Sequence, residues 1–185
     1  IYKQNSGEKD LALVFAVNQA HAEEIVKDFR TVFDKDEVDW EQLHEIIHQL
    51  LDALAQAHSQ GVLHRDLKPS NILIEPEGLT PRLVDFGVAR ALFELDRQPA
   101  EWRDPDYITG TPNYMAPEQI RGDIRDEGPW TDLYALACTF WRVLNGTAPF
   151  DSKETVAIFE GHVFDEPGEF TAEIDAPPAL EAWLR

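Results

Sequence analysis

The apolar positions of this chain fall into sharply different patterns. "LALVFAV", Leu11 to Val17, is a continuous apolar run rich in Val and Phe between the polar "SGEKD" and "NQAHAEE". That pattern predicts a buried strand leading into a linker. From Asp39, the positions Leu43, Ile46, Ile47, Leu50, Leu51 and Leu54 recur at spacings of three and four, which lines one face of a helix. Asp39, with Gln42 three residues later, suggests the N-cap, and Gly61 suits the left-handed turn that would end the helix. "NILIEPEGLTPRLVDF" holds two short β-type runs around a turn containing Pro and Gly, which predicts a small hairpin flanked by charged residues. "TDLYALACTFWRVLNG", Thr131 to Gly146, is apolar nearly all round and predicts a buried helix closed by its Gly.

Two stretches resist such assignment. Residues 88–117, with Pro99, Pro105, Pro112 and Pro117 and little periodicity, cannot be one regular element, and a loop this long in a compact domain is usually functional. Lys153 to Arg185 reads as two short helices with breaks at Pro167, Pro177 and Pro178. The chain has no internal repeat and no low-complexity tract.

Composition narrows the function classes. The 185 residues, 43% apolar and 28% charged, suit one globular domain. A formal net charge of −19, from 35 acidic against 16 basic residues, argues against a nucleic-acid binder, which needs clustered Lys and Arg. Basic peptides or metal–nucleotide complexes suit such a surface better. The single cysteine, Cys138, excludes an internal disulfide, is expected in the core, and fits a reducing compartment. No apolar run approaches the ~18 residues of a membrane span, and no secretion signal opens the chain, so the expected location is the cytoplasm. The chain starts at Ile1 and its one methionine is Met115, so it reads as a segment of a longer protein.

One stretch departs from its own strand-like pattern. "VLHRDLKPSNILI", Val62 to Ile74, sets His64, Arg65, Asp66, Lys68 and Asn71 among apolar residues. Asp85-Phe86-Gly87 and Ala116-Pro117-Glu118 follow in order. These motifs and their order resemble those of protein kinases of the Hanks type, in the style of bacterial serine/threonine kinases. Phosphoryl transfer needs an oriented hydroxyl, metal ions bridging the phosphates and positive charge near the transferring group, and these residue types supply much of that list.

The resemblance implies an α+β, protein-kinase-like fold, mainly the helical large (C-terminal) lobe with remnant small-lobe strands. Residues 1–19 would be the end of the small lobe and the hinge, and residues 20–185 the large lobe, truncated at its C-terminal end. It implies ATP and Mg²⁺ (or Mn²⁺) as cofactors and proteins with Ser or Thr acceptors as substrates. By resemblance Asp66 is the catalytic base, Lys68 sits near the transferred phosphate, and Asn71 and Asp85 hold the metal. Lys68 with Pro69, and Thr111 in "GTPNYMAPE", resemble serine/threonine-specific members, with Thr111 shaping the site for the residue beside the acceptor. His64 is expected to brace the loop from the core. Arg65 resembles the Arg that pairs with an activation-loop phosphate, for which Thr109, and after it Tyr107, are the candidate acceptors. Asp104 and Asp106 are carboxylates that would partly replace such a phosphate. Asp132 matches the buried Asp that anchors the catalytic loop, though a helix N-cap role is the plainer alternative. Ala137 stands where the family usually has Gly. Phe15 aligns with the gatekeeper, Ala16 and Asn18 with the hinge groups that hold adenine, and Leu73 with the apolar floor beneath it.

The family's Gly-rich loop, its strand Lys and its helix Glu do not precede Leu11, and the Arg that pairs with Glu118 does not follow. The segment alone is therefore expected to bind ATP weakly, turn over poorly and be only marginally stable. Its partners are expected to include the missing small lobe and further domains of a longer parent chain. The acidic residues from Asp151 to Asp175 read first as a solvated surface and second as a preference for basic substrates. A noncatalytic kinase-fold (pseudokinase) module that regulates or binds remains the alternative. A small-molecule phosphotransferase shares the spacing from Asp66 to Asn71 but not the "RDLKP" wording.

Overall fold

The computed structural model describes residues 40–75, 79–86, 111–122, 124–171 and 184. Among them, in chain order, are α1 (Trp40–Ser59), β1 (Ile72–Glu75), β2 (Thr80–Leu83), α2 (Pro117–Arg121), α3 (Pro129–Asn145) and α4 (Thr155–Phe164). Short 3₁₀ turns at Pro69–Asn71, Pro112–Tyr114 and Ile124–Asp126 join them. Among the described residues helices dominate and the strands form a single two-stranded sheet, in keeping with an α+β fold that is mainly helical lobe.

The three-and-four spacing of α1 places Leu43, Ile46, Ile47, Leu50, Leu54 and Ala57 in the interior. The helix closes where expected. Gly61, at φ +73°, donates its N–H to His58 O at 2.9 Å, and the Val62 N–H reaches back to Ala57 O at 3.0 Å. Together these bonds make a Schellman closure, whose left-handed residue is glycine because a Cβ there is disfavoured. The chain leaves the helix at a defined angle, and the polar loop follows at once.

α3 starts two residues earlier than its apolar pattern predicts, because Pro129 needs no intrahelical partner for a first-turn nitrogen and its fixed φ suits that position. The residue capping the helix is Gly128, whose N–H is accepted by Thr131 Oγ1 at 3.0 Å. Asp132 is thus not the N-cap. It lies one turn in, with its side chain free for the loop.

α1 and α3 build the core together. Ala135, Leu136, Phe140 and Trp141 of α3 share one buried cluster with the apolar face of α1, with Leu67 and with Ile72, Ile74 and Leu83 of the hairpin. The strands pair antiparallel, with Ile72 opposite Leu83 and Glu75 opposite Thr80. Fully burying side chains of this size stabilises by about 1.5–3 kcal/mol each. The core therefore holds fixed the two ends of the segment that runs from Gly61 to Ile72.

α4 is pinned against α2 and the turn at Pro112–Tyr114. His162 is 5% exposed, its Nδ1 hydrogen-bonds Tyr134 Oη at 2.7 Å, and its ring meets Phe150 edge-on at 4.8 Å. Asn113 Nδ2 donates to Phe150 O at 3.1 Å, which ties the 3₁₀ turn to the same group. Cys138 is buried as expected, and burial pushes its thiol up to about 12. No helix among the described residues is long and apolar enough to cross a membrane.

Candidate active site

The polar residues of "VLHRDLKPSNILI" form a loop between α1 and β1, and the fold spends buried polar groups on holding it. Arg65 adopts φ +67°, a left-handed conformation that a side chain such as arginine disfavours by roughly 1–2 kcal/mol. Three contacts oppose that strain. Asp132, fully buried, accepts the backbone N–H of His64 at Oδ2 and that of Arg65 at Oδ1, both at 2.8 Å. Gln119 Nε2 donates to Arg65 O at 2.9 Å, while its Oε1 accepts the Ala116 N–H at 3.1 Å. His58 Nε2 completes the surroundings of Asp132, donating to Oδ2 at 2.7 Å. A buried carboxylate is tolerated because several donors converge on it, and a bond to a charged acceptor is worth about 1.5–3 kcal/mol.

His64 is equally buried and faces the other way. Its Nε2 donates to Val84 O at 2.9 Å, and its ring packs on Phe86 with centroids 4.6 Å apart. Burial holds the imidazole below its usual pKa, outweighing the nearby Asp132 and Asp66 carboxylates that act in the opposite sense. A neutral ring donating to a carbonyl is a brace, which is the arrangement expected for it. The Val84 N–H donates to Asn71 O at 3.0 Å. Both polar groups of Val84 are therefore tied to the loop, directly before Asp85, whose own φ is +57° and whose side chain is exposed.

At the centre of the loop Asp66 gathers its neighbours. Lys68 Nζ donates to Asp66 Oδ2 at 2.7 Å and to Thr111 Oγ1 at 3.0 Å. Asn71 Nδ2 donates to Asp66 O at 2.7 Å and, more weakly, to Oδ2 at 3.3 Å. The side chains of Asp66 and Lys68 are 34% and 25% exposed, so an incoming group can reach them. The structure thus brings together Asp66, Lys68, Asn71 and Thr111, with Asp85 following the braced Val84. Leu73 lies half-buried in β1. Phe15, Ala16, Asn18, Tyr107, Thr109, Asp104, Asp106, Gly87 and the expected N-cap Asp39 lie outside the described residues.

The donor set suits a hard cation. Asn71 commits its amide nitrogen to Asp66, which leaves its carbonyl oxygen for a ligand, and Asp85 adds an exposed carboxylate. Oxygen donors few in number, completed by water and substrate phosphates, match Mg²⁺. No group of three or more His, Cys, Asp or Glu side chains is placed to hold a metal among the described residues.

Arg65 does not point into solvent. Its Nε lies 3.0 Å from Oε2 of Glu127, whose side chain is fully buried. Glu118 accepts the Thr131 hydroxyl at 2.6 Å. A cavity of about 370 Å³, lined in part by Trp130, Tyr134, Phe150 and His162, contains none of the loop residues. Nothing in the sequence pattern pointed to Gln119, Glu127 or His58. Gln119 directly follows Ala116-Pro117-Glu118, so its position beside that motif is the one available signal; the other two carry no local signal.

Comparison with known proteins agrees with this geometry. A family model described as the protein kinase domain matches residues 2–178. The serine/threonine-protein kinase pkn3 of Myxococcus xanthus is 41% identical over 125 residues, covering 66% of this chain and 22% of the relative. The serine/threonine-protein kinase PknB of Mycolicibacterium smegmatis is 34% identical over 139 residues, covering 71% of this chain and 21% of the relative. PknB of Mycobacterium tuberculosis is 35% identical over 123 residues, covering 66% and 19%. The chain spans about a fifth of the length of these curated relatives. With the family model matching nearly the whole chain and the loop, hairpin and anchoring helix in place, this chain belongs to the protein kinase domain family.

Proposed function

We propose that the chain is the catalytic-loop part of an ATP-dependent serine/threonine protein kinase, acting on Ser and Thr hydroxyls of protein substrates. The observation that carries the reading is the convergence of Lys68 and Asn71 on one oxygen of Asp66. Both bonds go to Oδ2, so Oδ1 is the atom left to accept the hydrogen bond of an incoming hydroxyl. Asp66 would orient that hydroxyl for in-line attack and take up its proton as the new bond forms. Lys68, fixed between Asp66 and Thr111, would place its ammonium beside the phosphoryl group in flight. When bound, Mg²⁺ would supply charge neutralisation for the phosphates, with Asn71 and Asp85 as its protein ligands.

The short Asp66–Lys68–Thr111 chain also supports the serine/threonine preference, since Lys68 and Thr111 are the residues on which that resemblance rests. The lone buried Cys138 supports a reducing, cytoplasmic setting for this domain.

The test is Asp66→Asn in the full-length parent protein, reading transfer of labelled γ-phosphate to a generic basic protein. The amide keeps the shape and loses the proton acceptor, so kcat should fall by about 10²–10⁴. Undiminished transfer would remove Asp66 from the base role, and absence of transfer in the unmutated parent would favour a binding module.

A further inference from the structure

Arg65 carries a charged group of the loop to which the proposed phosphoryl transfer gives no direct part. The resemblance pairs such an Arg with a phosphate added to the activation loop. Here its Nε already lies 3.0 Å from Glu127 Oε2. The Glu127 side chain has no exposure, against 21% for Arg65, so this carboxylate is desolvated and requires a cation at close range.

The backbone around Glu127 is equally fixed. Its N–H reaches Ile124 O at 3.4 Å, and the next residue, Gly128, is the N-cap of α3 and donates to Thr131 Oγ1 at 3.0 Å. Asp132, in the first turn of the same helix, accepts the backbone N–H of Arg65. One short segment, 127–132, therefore grips Arg65 at both ends, its peptide through Asp132 and its side chain through Glu127.

We propose that Glu127 is the resident counter-ion of Arg65, a positioning residue that sets the catalytic loop without an added phosphate. A phosphate supplies more charge, but only after modification; Glu127 is in place as soon as α3 forms. This inference rests on the kinase reading above and adds its mode of regulation.

The test uses the full-length parent, treated with phosphatase, and initial rates of γ-phosphate transfer to a generic basic protein. The treated wild type should keep at least half its rate. Glu127→Gln, which removes the charge and keeps the shape, should lower kcat on the order of tenfold with the KM for ATP nearly unchanged, as expected for a misplaced catalytic group. Glu127→Asp should recover part of the loss. A wild type that loses its rate on phosphatase treatment, beside a Glu127→Gln variant as active as wild type, would overturn the proposal. Should the wild type prove as inactive as Asp66→Asn, the kinase reading fails, and thermal unfolding of Arg65→Met, Glu127→Gln and the double variant decides this one. A double variant that loses less than the two single losses combined supports the pair, and strict additivity overturns it.

Discussion

The carboxylate of Asp132 accepts the backbone N–H of His64 across 68 positions of sequence, at 2.8 Å and in full burial. Its second oxygen takes the N–H of Arg65, so one side chain of α3 fixes two consecutive peptides of the catalytic loop. Removing it strands two buried donors, at about 1–3 kcal/mol each. Asp132→Ala should therefore destabilise the domain by about 3 kcal/mol or more, a large share of the roughly 5–15 kcal/mol that holds a domain folded. Asp132→Asn, which keeps one acceptor oxygen, should lose about 2 kcal/mol. Urea unfolding of the intact protein checks both, and Asp132→Asn should lower kcat as the left-handed Arg65 relaxes. Equal stability of wild type and Asp132→Ala would refute the anchor.

Gly161 is required by packing rather than by backbone conformation. A Cβ built on it would lie 2.8 Å from Phe150 Cδ1 and 3.0 Å from Cγ, too close for a ring held at its base. Two effects of Gly161→Ala compete. Helix propensity favours Ala by up to about 1 kcal/mol, while overpacking disfavours it by about 1–3 kcal/mol. The net expectation is a loss of about 1 kcal/mol. In a Phe150→Leu background the overlap is relieved, and the same Gly161→Ala change should become neutral or stabilising. An unchanged sign in both backgrounds, read by thermal unfolding, would count against the contact.

Acid should weaken the fold in a defined window. Burial holds His162 at about 4, and His64 is lowered for the same reason, against an ordinary value near 6.5. Between these values the unfolded chain binds protons that the folded chain refuses, so stability falls as pH drops below about 6.5 and levels off once pH is below the folded value. For His162 alone the loss is on the order of 2 kcal/mol. Denaturant midpoints measured from pH 7.5 down to pH 4 should decline accordingly, and His162→Gln should flatten part of the slope. A slope unaffected by that change would show that His162 is not the group responsible.

The elements that sequence predicts well are those whose signal is local. The α1 stripe, its Gly61 closure and the hairpin around Ile72 and Leu83 each follow from spacing or turn chemistry within a few residues. The loop residues Asp66, Lys68 and Asn71 are legible because they too lie within one short motif, and resemblance extends the reading to Thr111. What escapes are the supports. Gln119 reaches Arg65 across 54 positions and His58 reaches Asp132 across 74, distances at which only the packed core decides who meets whom. Glu127 looks like one more charge in "RGDIRDEGPW" until the start of α3 buries it. The start of α3 at Pro129, two residues before its apolar pattern begins, has a related cause, since a first-turn proline carries no apolar periodicity.

Thr111 and Lys68 differ in what they contribute, and that difference can be measured. Thr111 Oγ1 holds Lys68 Nζ at 3.0 Å, while Asp66 Oδ2 holds the same ammonium at 2.7 Å with a full charge behind it. Thr111→Val removes the weaker of the two bonds and keeps the shape. Lys68 then retains its place against Asp66 with more freedom, so kcat should fall by about tenfold, the equivalent of one hydrogen bond. Lys68→Met removes the positive charge itself, and losing an electrostatic donor to the transition state typically lowers kcat by about 10²–10³. If both residues act mainly on the phosphoryl group in transfer, as proposed, the KM for ATP should change less than kcat in either variant. The double variant should be no worse than Lys68→Met, since Thr111 acts here through the lysine. Steady-state kinetics of the full-length protein decide the matter: a double variant slower than Lys68→Met by the full Thr111→Val factor would give Thr111 a role of its own.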